Sequence, residues 1–257
     1  MENRVAPGKV SAAPGGEADF VEPTTLYWQD ITSAVPERFN AVPPYRYGYP
    51  ARLPCGRFLV LPLRRLSLER EAVASLIVNQ ASHAVAAALA EHMAGQARSL
   101  GADLIVGLPT LGLGLAAMVS QRLGHARYVP LGYSRKLWYD DALSAPVSSI
   151  TSPGPGKRLY LDPNMRPLLA DTRRLVLIDD AVSTGRTALA AWRLLQALNV
   201  DTAGIVVAML QTNRWRTALA EEDPALPARV QAVFGCPLFR LAADGWWPVP
   251  ATEPVVP

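Results

Sequence analysis

The sequence predicts an α/β fold built on a parallel β-sheet, and three stretches carry this prediction. Each is a short apolar run, at residues 104–106, 175–178 and 204–210. Unbroken apolar runs of this length are typical of parallel strands, which are buried on both faces of their sheet. The first two runs continue into a loop of small residues and then into a helical pattern, which indicates strand–loop–helix units. The length of 257 residues suits one such domain with additions, or two small domains.

The N-terminal part of the chain has little regular pattern. Residues 1–24 are rich in Gly, Pro, Ala and charge, which predicts a disordered tail. Residues 27–49 are aromatic and interrupted by prolines, which indicates an irregular but packed segment. Residues 56–63 are typical of a strand, and Pro62 favours an edge position for it because proline donates no ladder hydrogen bond.

A helix is predicted over residues 70–94, where strong helix formers predominate and Ser67 or Glu69 can begin it. Asn79 and Gln80 stand on or near one face of this pattern. On the residues alone, they are polar contacts between helix and sheet or contacts with a partner subunit.

The next unit is a buried strand with a tight glycine-rich turn, at residues 102–114, followed by a small-residue helix at 115–123. The turn has the size of a phosphate-binding loop, although many α/β proteins have a glycine-rich first turn for packing alone. A further strand is predicted at residues 127–131.

Residues 132–157 then form a long loop, which we call the hood loop, and residues 157–161 read as a strand returning from it. A loop of this length in a compact domain is usually functional or mobile. It contains Arg135 and Lys136, which are either a solvated charge pair or cations for a ligand.

Residues 174–187 are the most informative stretch, with an apolar strand, two acids and a small, hydroxyl-rich loop. In such a unit the loop lies at the carboxyl end of the strand and its N–H groups at the start of a helix, which favours phosphate binding. Gly185 lets the backbone approach a ligand closely. The hydroxyl donors of the loop are Ser183, Thr184 and Thr187.

The acids, Asp179 and Asp180, stand directly before this anion site. Such a pair is unfavourable there unless it accepts hydrogen bonds from sugar hydroxyls or helps to hold a cation that the phosphates also bind. A ribose phosphate carrying Mg²⁺ meets both demands. The alternative is a receiver-type or other doubly wound domain, but a receiver has its acids early in the chain, and here the pair comes late.

The stretch from Leu175 to Thr187 resembles the motif with which type I phosphoribosyltransferases bind PRPP, the diphosphate-activated ribose phosphate. The resemblance implies that Asp179 and Asp180 bind the ribose 2- and 3-hydroxyls and hold Mg²⁺ indirectly, through PRPP. It also implies a loop that wraps the 5-phosphate and consists of Ala181, Val182, Ser183, Thr184, Gly185, Arg186 and Thr187. Arg186 departs from the motif, since many members have a second glycine there, but its side chain can point to solvent.

The resemblance assigns roles to both earlier loops. In this family the backbone after the first core strand binds the pyrophosphate of PRPP, and a flexible hood closes over the reacting centre and excludes water. Arg135 and Lys136 would lie at the base of the hood and meet the departing pyrophosphate. The residues implied for the pyrophosphate loop are Leu108, Pro109, Thr110, Leu111 and Gly112.

The base site is the least defined. Asn79 and Gln80 resemble an Asn and Gln pair in the xanthine phosphoribosyltransferase branch, which implies that they read the edge of a base. Phe239 and Trp246 can stack on a flat base, or they belong to the core or an interface. Near the end of the strand at 204–210, where members that bind oxopurines often carry a lysine, the chain has Leu210 and Gln211. This leaves adenine or another base open.

The composition and the pattern of apolar residues argue against several classes of protein. The net charge of +3 comes without runs of Lys and Arg interleaved with aromatics, so a nucleic-acid partner is not indicated. The two cysteines, Cys55 and Cys236, cannot form a disulfide framework. No apolar run reaches 18 residues, and no basic segment precedes an apolar one at the N-terminus. We therefore expect a cytoplasmic protein without a membrane span.

The predicted protein is a Mg²⁺-dependent phosphoribosyltransferase that transfers 5-phosphoribose from PRPP to a purine-like base. Its domain is expected at residues 25–247, with a core at about 70–215, a small hood from residues 25–69 and 228–247, and a tail at 248–257. Two alternatives are a PRPP-sensing regulator without catalysis and an enzyme for orotate or another acceptor, for which Arg214 is the candidate cation. By analogy with the family, we expect a homodimer.

Overall fold

The computed structural model describes residues 20–21, 26–66, 70–147 and 157–256. The strands are β1 (Gly48–Arg52), β2 (Phe58–Arg65), β3 (Glu71–Ala74), β4 (Leu104–Gly107), β5 (Val129–Gly132), β6 (Ser144–Pro146), β7 (Arg158–Leu161), β8 (Leu175–Val182), β9 (Thr202–Gln211), β10 (Val230–Cys236), β11 (Leu238–Ala242) and β12 (Gly245–Pro248). The α-helices are α1 (His83–Ser99), α2 (Gly112–Arg122), α3 (Arg166–Ala170), α4 (Arg186–Ala197) and α5 (Arg214–Glu222).

A seven-stranded sheet forms the core, in the order β10-β9-β8-β4-β5-β7-β6. The first five strands are parallel, and β7 and β6 extend the sheet in antiparallel fashion. Along β8 the buried side chains alternate between two hydrophobic clusters, since Val176 and Ile178 belong to one and Leu175 and Leu177 to the other. This alternation follows from the period of two in a strand, and it confirms the predicted parallel sheet with helices on both faces.

A second sheet of five antiparallel strands, in the order β1-β2-β3-β11-β12, forms the hood. Its strands come from both ends of the chain, and β11 pairs with β3 across a long sequence separation. The first hydrophobic cluster continues from the core into this sheet through buried Leu61, Phe239 and Trp246. The fold is therefore the predicted α/β core with a small hood built from N- and C-terminal segments.

The predicted helix at 70–94 is wrong in its first half. Glu71–Ala74 is strand β3, Val78–Gln80 is a 3-10 turn, and α1 begins at His83. Ser82 caps α1, because its Oγ accepts a hydrogen bond of 3.2 Å from the N–H of Val85. Pairing of β3 with β2 and β11 outweighs the helix propensity of its alanines.

Strand β2 is not at an edge, since it lies between β1 and β3. Pro62 is tolerated because its missing donor leaves no carbonyl unpaired. The N–H of Ser75 donates a 3.0 Å hydrogen bond to the Pro62 carbonyl, and the Ser75 carbonyl accepts one of 3.0 Å from Trp28 Nε1. Within the segment predicted as a C-terminal tail, Thr252 contacts β11, since its Oγ1 accepts a 2.9 Å hydrogen bond from the N–H of Leu238. Most of the predicted tail at 1–24 and residues 148–156 of the hood loop lie outside the described residues.

Candidate functional site

The two predicted loops meet at one edge of the core sheet. Strands β4 and β8 are parallel neighbours, so their carboxyl ends lie together. The N–H of Leu108 donates a 2.9 Å hydrogen bond to the carbonyl of Ile178, and the following Pro109–Thr110 peptide bond is cis. A Cβ built on Gly112 would lie only 2.6 Å from Asp179 Oδ1. Gly112 is therefore required for the first loop to pack directly on the acid pair.

Both loops lead into a helix whose N-terminus has no side-chain cap. Helix α2 begins after Leu111 and helix α4 after Gly185, and neither position contributes a capping hydrogen bond. The first N–H groups of an α-helix have no partner within the helix, and the helix dipole makes this end electropositive. The sheet edge thus presents two neighbouring helix N-termini that can each bind an anion.

The acids lie within β8, not after it, because pairing with β9 continues to Val182 and Leu210. Asp179 is 7% exposed and Asp180 is 9% exposed. Asp179 Oδ1 accepts a 2.9 Å hydrogen bond from the N–H of Asp180. In the part of the chain that the structure describes, neither carboxylate forms an ion pair with a Lys or Arg.

This environment disfavours the charged form of both acids. Burial raises the pKa of Asp179 well above its ordinary value, and the neighbouring Asp180 raises it further. Burial also raises the pKa of Asp180. Backbone N–H groups stabilise the carboxylates in part, as the bond from Asp180 to Asp179 shows, but burial outweighs them. Hydroxyl donors or a cation next to the pair would favour its charged form.

The second loop surrounds a cavity of about 170 Å³, which Asp179 and residues 181–188 line. Gly185 has φ of +77°, and a Cβ there would lie 2.6 Å from Leu219 Cδ1. Glycine is therefore needed both for the backbone turn and for the contact with α5. Arg186 is exposed, in agreement with the prediction that its side chain points to solvent.

Tyr133, which the sequence did not single out, contacts this loop, and Lys157 contacts Tyr133. The hydroxyl of Tyr133 lies 3.4 Å from Thr187 Oγ1. The Nζ of Lys157 lies 3.5 Å from the centroid of the Tyr133 ring. The available signal for Tyr133 was its position directly after β5, a strand that ends at the same sheet edge as β4 and β8.

The cations proposed for the hood loop are both exposed. Arg135 forms a 2.8 Å ion pair with Asp141, in which its side chain remains 49% exposed. Lys136 has no ion-pair partner in the described ranges. Arg135 would have to exchange Asp141 for a ligand phosphate, whereas Lys136 is free to bind one.

Asn79 lies beside the first loop, since its Oδ1 is 3.8 Å from the position of a Cβ on Gly114, in the first turn of α2. Gln80 is exposed, and its carbonyl accepts a 3.0 Å hydrogen bond from Gln29 Nε2. The N-terminal segment thus braces the turn that carries both residues. Asn79 is close to the sheet edge, whereas Gln80 is joined to that segment.

The aromatic pair predicted to stack on a base does not fit that role in this structure. Phe239 and Trp246 each have 0% exposure and belong to the first hydrophobic cluster. Phe239 packs edge-on against Tyr45, with ring centroids 5.9 Å apart. The alternative interpretation of these residues as core is confirmed. They lie on β11 and β12, and their side chains pack into the first hydrophobic cluster.

The described residues hold neither a cluster of metal ligands nor a membrane-spanning helix. They contain no group of three or more His, Cys, Asp or Glu that could hold a metal ion. The donor chemistry of the acid pair fits Mg²⁺, since carboxylate oxygens are among the ligands that this ion binds. No helix in the same residues is long and apolar enough to cross a bilayer.

Several solved structures resemble the chain at low similarity. The adenine phosphoribosyltransferase of Thermoanaerobacter pseudethanolicus is 20% identical, with a TM-score of 0.47 over 59% of this chain and 81% of that chain. The orotate phosphoribosyltransferase of Aeropyrum pernix is 18% identical, with a TM-score of 0.43 over 73% and 85%. The UMP synthase of Leishmania donovani is 21% identical, with a TM-score of 0.40 over 59% and 27%. A search of curated protein sequences gave no match.

The family is shown by the sequence itself. A model of the family described as phosphoribosyl transferase domain matches residues 75–225, which include both loops, the acid pair and the described part of the hood loop. This match spans more than half of the 257 residues. The chain therefore belongs to the phosphoribosyltransferase family, and it is an enzyme of phosphoribosyl transfer.

Proposed function

We propose that the chain transfers 5-phosphoribose from PRPP to a purine-like base and releases pyrophosphate. The observation that carries the proposal is a buried acid pair that packs against the start of α2 and lines one cavity with the start of α4, both of which lack a side-chain cap. PRPP has complementary chemistry, with a phosphate at one end, a pyrophosphate at the other, and two ribose hydroxyls between them. Each group meets a part of the site that suits it.

The proposed roles follow from the positions along the sheet edge. Residues 181–187 bind the 5-phosphate through N–H and hydroxyl groups, and Asp179 and Asp180 accept hydrogen bonds from the ribose hydroxyls. Residues 108–112 bind the pyrophosphate through backbone N–H groups. Mg²⁺ bound to PRPP would add positive charge near the acids and neutralise part of the charge on the leaving group.

Catalysis then needs little covalent chemistry from the protein. The base nitrogen attacks C1 of the ribose as the bond to pyrophosphate breaks, through a transition state with oxocarbenium character. The protein contributes by holding the two reactants in line and by stabilising the negative charge that develops on pyrophosphate. Lys136, and Arg135 once it leaves Asp141, are the proposed cations for that charge.

For the base, we propose a contact with Asn79, which lies near the start of α2. Gln211, at the end of β9, donates from its Nε2 to the carbonyl of Ala74, 2.9 Å away. A carbonyl can only accept, so this bond orients the amide and leaves the Gln211 oxygen as an acceptor. An acceptor favours an amino-substituted base such as adenine over a 6-oxopurine, if the amide faces the base as the family's lysine does.

The proposal is tested by pyrophosphate release from PRPP and Mg²⁺, with adenine, hypoxanthine, guanine, xanthine, orotate and uracil supplied one at a time. Release with adenine alone is expected. Release with orotate alone would favour the other acceptor class, with Arg214 as the candidate cation. Calorimetric binding of PRPP without release for any base would favour a PRPP-sensing role.

Matched variants test the acid pair. Asp180→Asn is expected to lower kcat/KM at least tenfold, since a hydrogen bond to a charged group contributes about 1.5–3 kcal/mol. Asp201→Asn is the control, because Asp201 is exposed and precedes β9 at the opposite edge of the sheet. Wild-type activity in Asp180→Asn would refute the assignment of the pair. Similarly, an unchanged preference among bases in Asn79→Ala would refute the assigned base contact.

A further inference from the structure

Tyr133 and Lys157 form a contact chain that ends at the cavity of the second loop. Lys157 Nζ lies 3.5 Å from the centroid of the Tyr133 ring, within the range of a cation–π interaction. The Tyr133 hydroxyl lies 3.4 Å from Thr187 Oγ1. Thr187 in turn lines the cavity, while Tyr133 and Lys157 do not. The chain therefore reaches the cavity through a single hydroxyl.

The secondary structure holds both ends of this chain in place. Tyr133 follows β5 and Lys157 precedes β7, and these two strands are antiparallel neighbours. The carbonyl of Lys157 also accepts a 2.7 Å hydrogen bond from the N–H of Val147, which closes the base of the hairpin. Tyr133 thus lies between Lys157, just before β7, and Thr187, in the first turn of α4.

The hydrogen bond between the Tyr133 and Thr187 hydroxyls is weak. A separation of 3.4 Å is long, since O–H···O hydrogen bonds are mostly 2.7–2.8 Å. Among the described residues, neither hydroxyl has another side-chain hydrogen-bond partner. A hydroxyl can donate and accept at once, so Thr187 can accept from Tyr133 while it donates its own proton to an anion in the cavity. Hydrogen bonds that are linked in this way strengthen one another.

We propose that Tyr133 is a positioning residue for the 5-phosphate of PRPP, which acts by orienting the Thr187 hydroxyl, and that Lys157 holds the Tyr133 ring for this role. The inference rests on the proposed function, because it assigns the cavity of the second loop to the 5-phosphate. The proposal also predicts different effects on binding at the two ends of PRPP. Loss of the Tyr133 hydroxyl should weaken binding at the 5-phosphate and leave the pyrophosphate end unaffected.

The test uses two ligands that each represent one end of PRPP. Calorimetry measures the Kd of ribose 5-phosphate and, separately, of inorganic pyrophosphate with Mg²⁺. In Tyr133→Phe, the Kd of ribose 5-phosphate is expected to rise about three- to tenfold, as for the loss of one hydrogen bond. The Kd of pyrophosphate is expected to stay the same, and in turnover KM for PRPP should rise while kcat changes little.

Three further variants separate positioning from a general effect on the fold. Tyr128→Phe removes a hydroxyl at the other end of β5 and is expected to bind ribose 5-phosphate as the wild type does. Lys157→Gln is expected to weaken ribose 5-phosphate binding about two- to threefold, since an exposed cation–π contact is modest. Lys157→Arg should restore the affinity, because a guanidinium also stacks on a ring.

Wild-type affinity for ribose 5-phosphate in Tyr133→Phe would overturn the inference. An equal loss for ribose 5-phosphate and pyrophosphate would also overturn it, since that result indicates a general structural effect. If the wild-type protein bound neither PRPP nor either half, the proposed function itself would fail. That failure is visible before any variant is made.

Discussion

Gly112→Ala should separate the two loops of the site, and the structure gives the size of the effect. The new Cβ would lie 2.6 Å from Asp179 Oδ1, 2.7 Å from Asp179 Cα and 3.0 Å from the carbonyl oxygen of Ile178. Two of these atoms are backbone of β8 and cannot rotate away. Overpacking of this kind costs about 1–3 kcal/mol, against a helix-propensity gain of up to about 1 kcal/mol. We expect a net loss of about 1–2 kcal/mol.

Gly114→Ala is the matched control, two residues further along α2. Its Cβ would meet only Asn79 Oδ1, at 3.8 Å, which is ordinary contact. This substitution should therefore stabilise the protein by about 0.5–1 kcal/mol. The pair makes the same chemical change in the same helix, with opposite expected signs.

Thermal unfolding measures the loss of stability in Gly112→Ala, and calorimetric titration with PRPP and Mg²⁺ measures the loss of PRPP affinity. The melting temperature should fall by about 2–4 °C for each kcal/mol lost. PRPP affinity should fall as well, because the displaced loop moves the α2 N-terminus away from the acid pair. Unchanged stability together with unchanged PRPP affinity would refute the close packing of the two loops.

Two more predictions concern the acid and the glycine of the second loop. Burial holds the pKa of Asp179 above its unfolded value, so its contribution to stability is greatest below the unfolded pKa and is lost as the pH rises through the folded pKa. Asp179→Asn should therefore stabilise the free protein more at pH 7 than near pH 4 in urea denaturation, and an equal effect at both pH values would contradict this. Gly185→Ala should destabilise the protein by about 1 kcal/mol more than Gly56→Ala, because both have φ near +80° but only Gly185 meets a neighbour, Leu219. Equal melting temperatures for the two glycine variants would exclude that clash.

The acid pair and the second loop were predictable because they belong to one continuous strand–loop–helix unit. The apolar run of β8, the two acids and Gly185 lie within eleven consecutive residues, 175–185. Local order of this kind constrains where each group can lie, since the loop must follow the strand and precede the helix. The end of β8 was misjudged by four residues, because pairing with β9 extends the strand through the acids.

The hood could be predicted only in outline, because its strands pair across long sequence separations. Leu238 of β11 lies opposite Val73 of β3, and no local pattern specifies that pairing. The alanines of β3 have high helix propensity, so a helix was predicted where a strand forms. The buried positions of Phe239 and Trp246 follow from the same sheet, and they explain why aromatic character alone misled the prediction of a base site.

The role of Tyr133 could not be predicted from the sequence, for a related reason. Its contact with Thr187 joins residues 54 positions apart, and its contact with Lys157 spans the hood loop. Each residue is unremarkable within its own segment.

The features that made the site visible in the sequence also lower the stability of the free protein. An apolar strand that ends in two acids places carboxylates where burial opposes their charge. The fold tolerates them because β4 and β9 pair with β8 on both sides and two hydrophobic clusters cover its faces. A ligand that brings hydroxyl donors and a cation relieves this unfavourable burial as it binds. Asp179→Asn should therefore lose PRPP affinity while it gains stability, and a variant that gained both would show that the acids do not face the ligand.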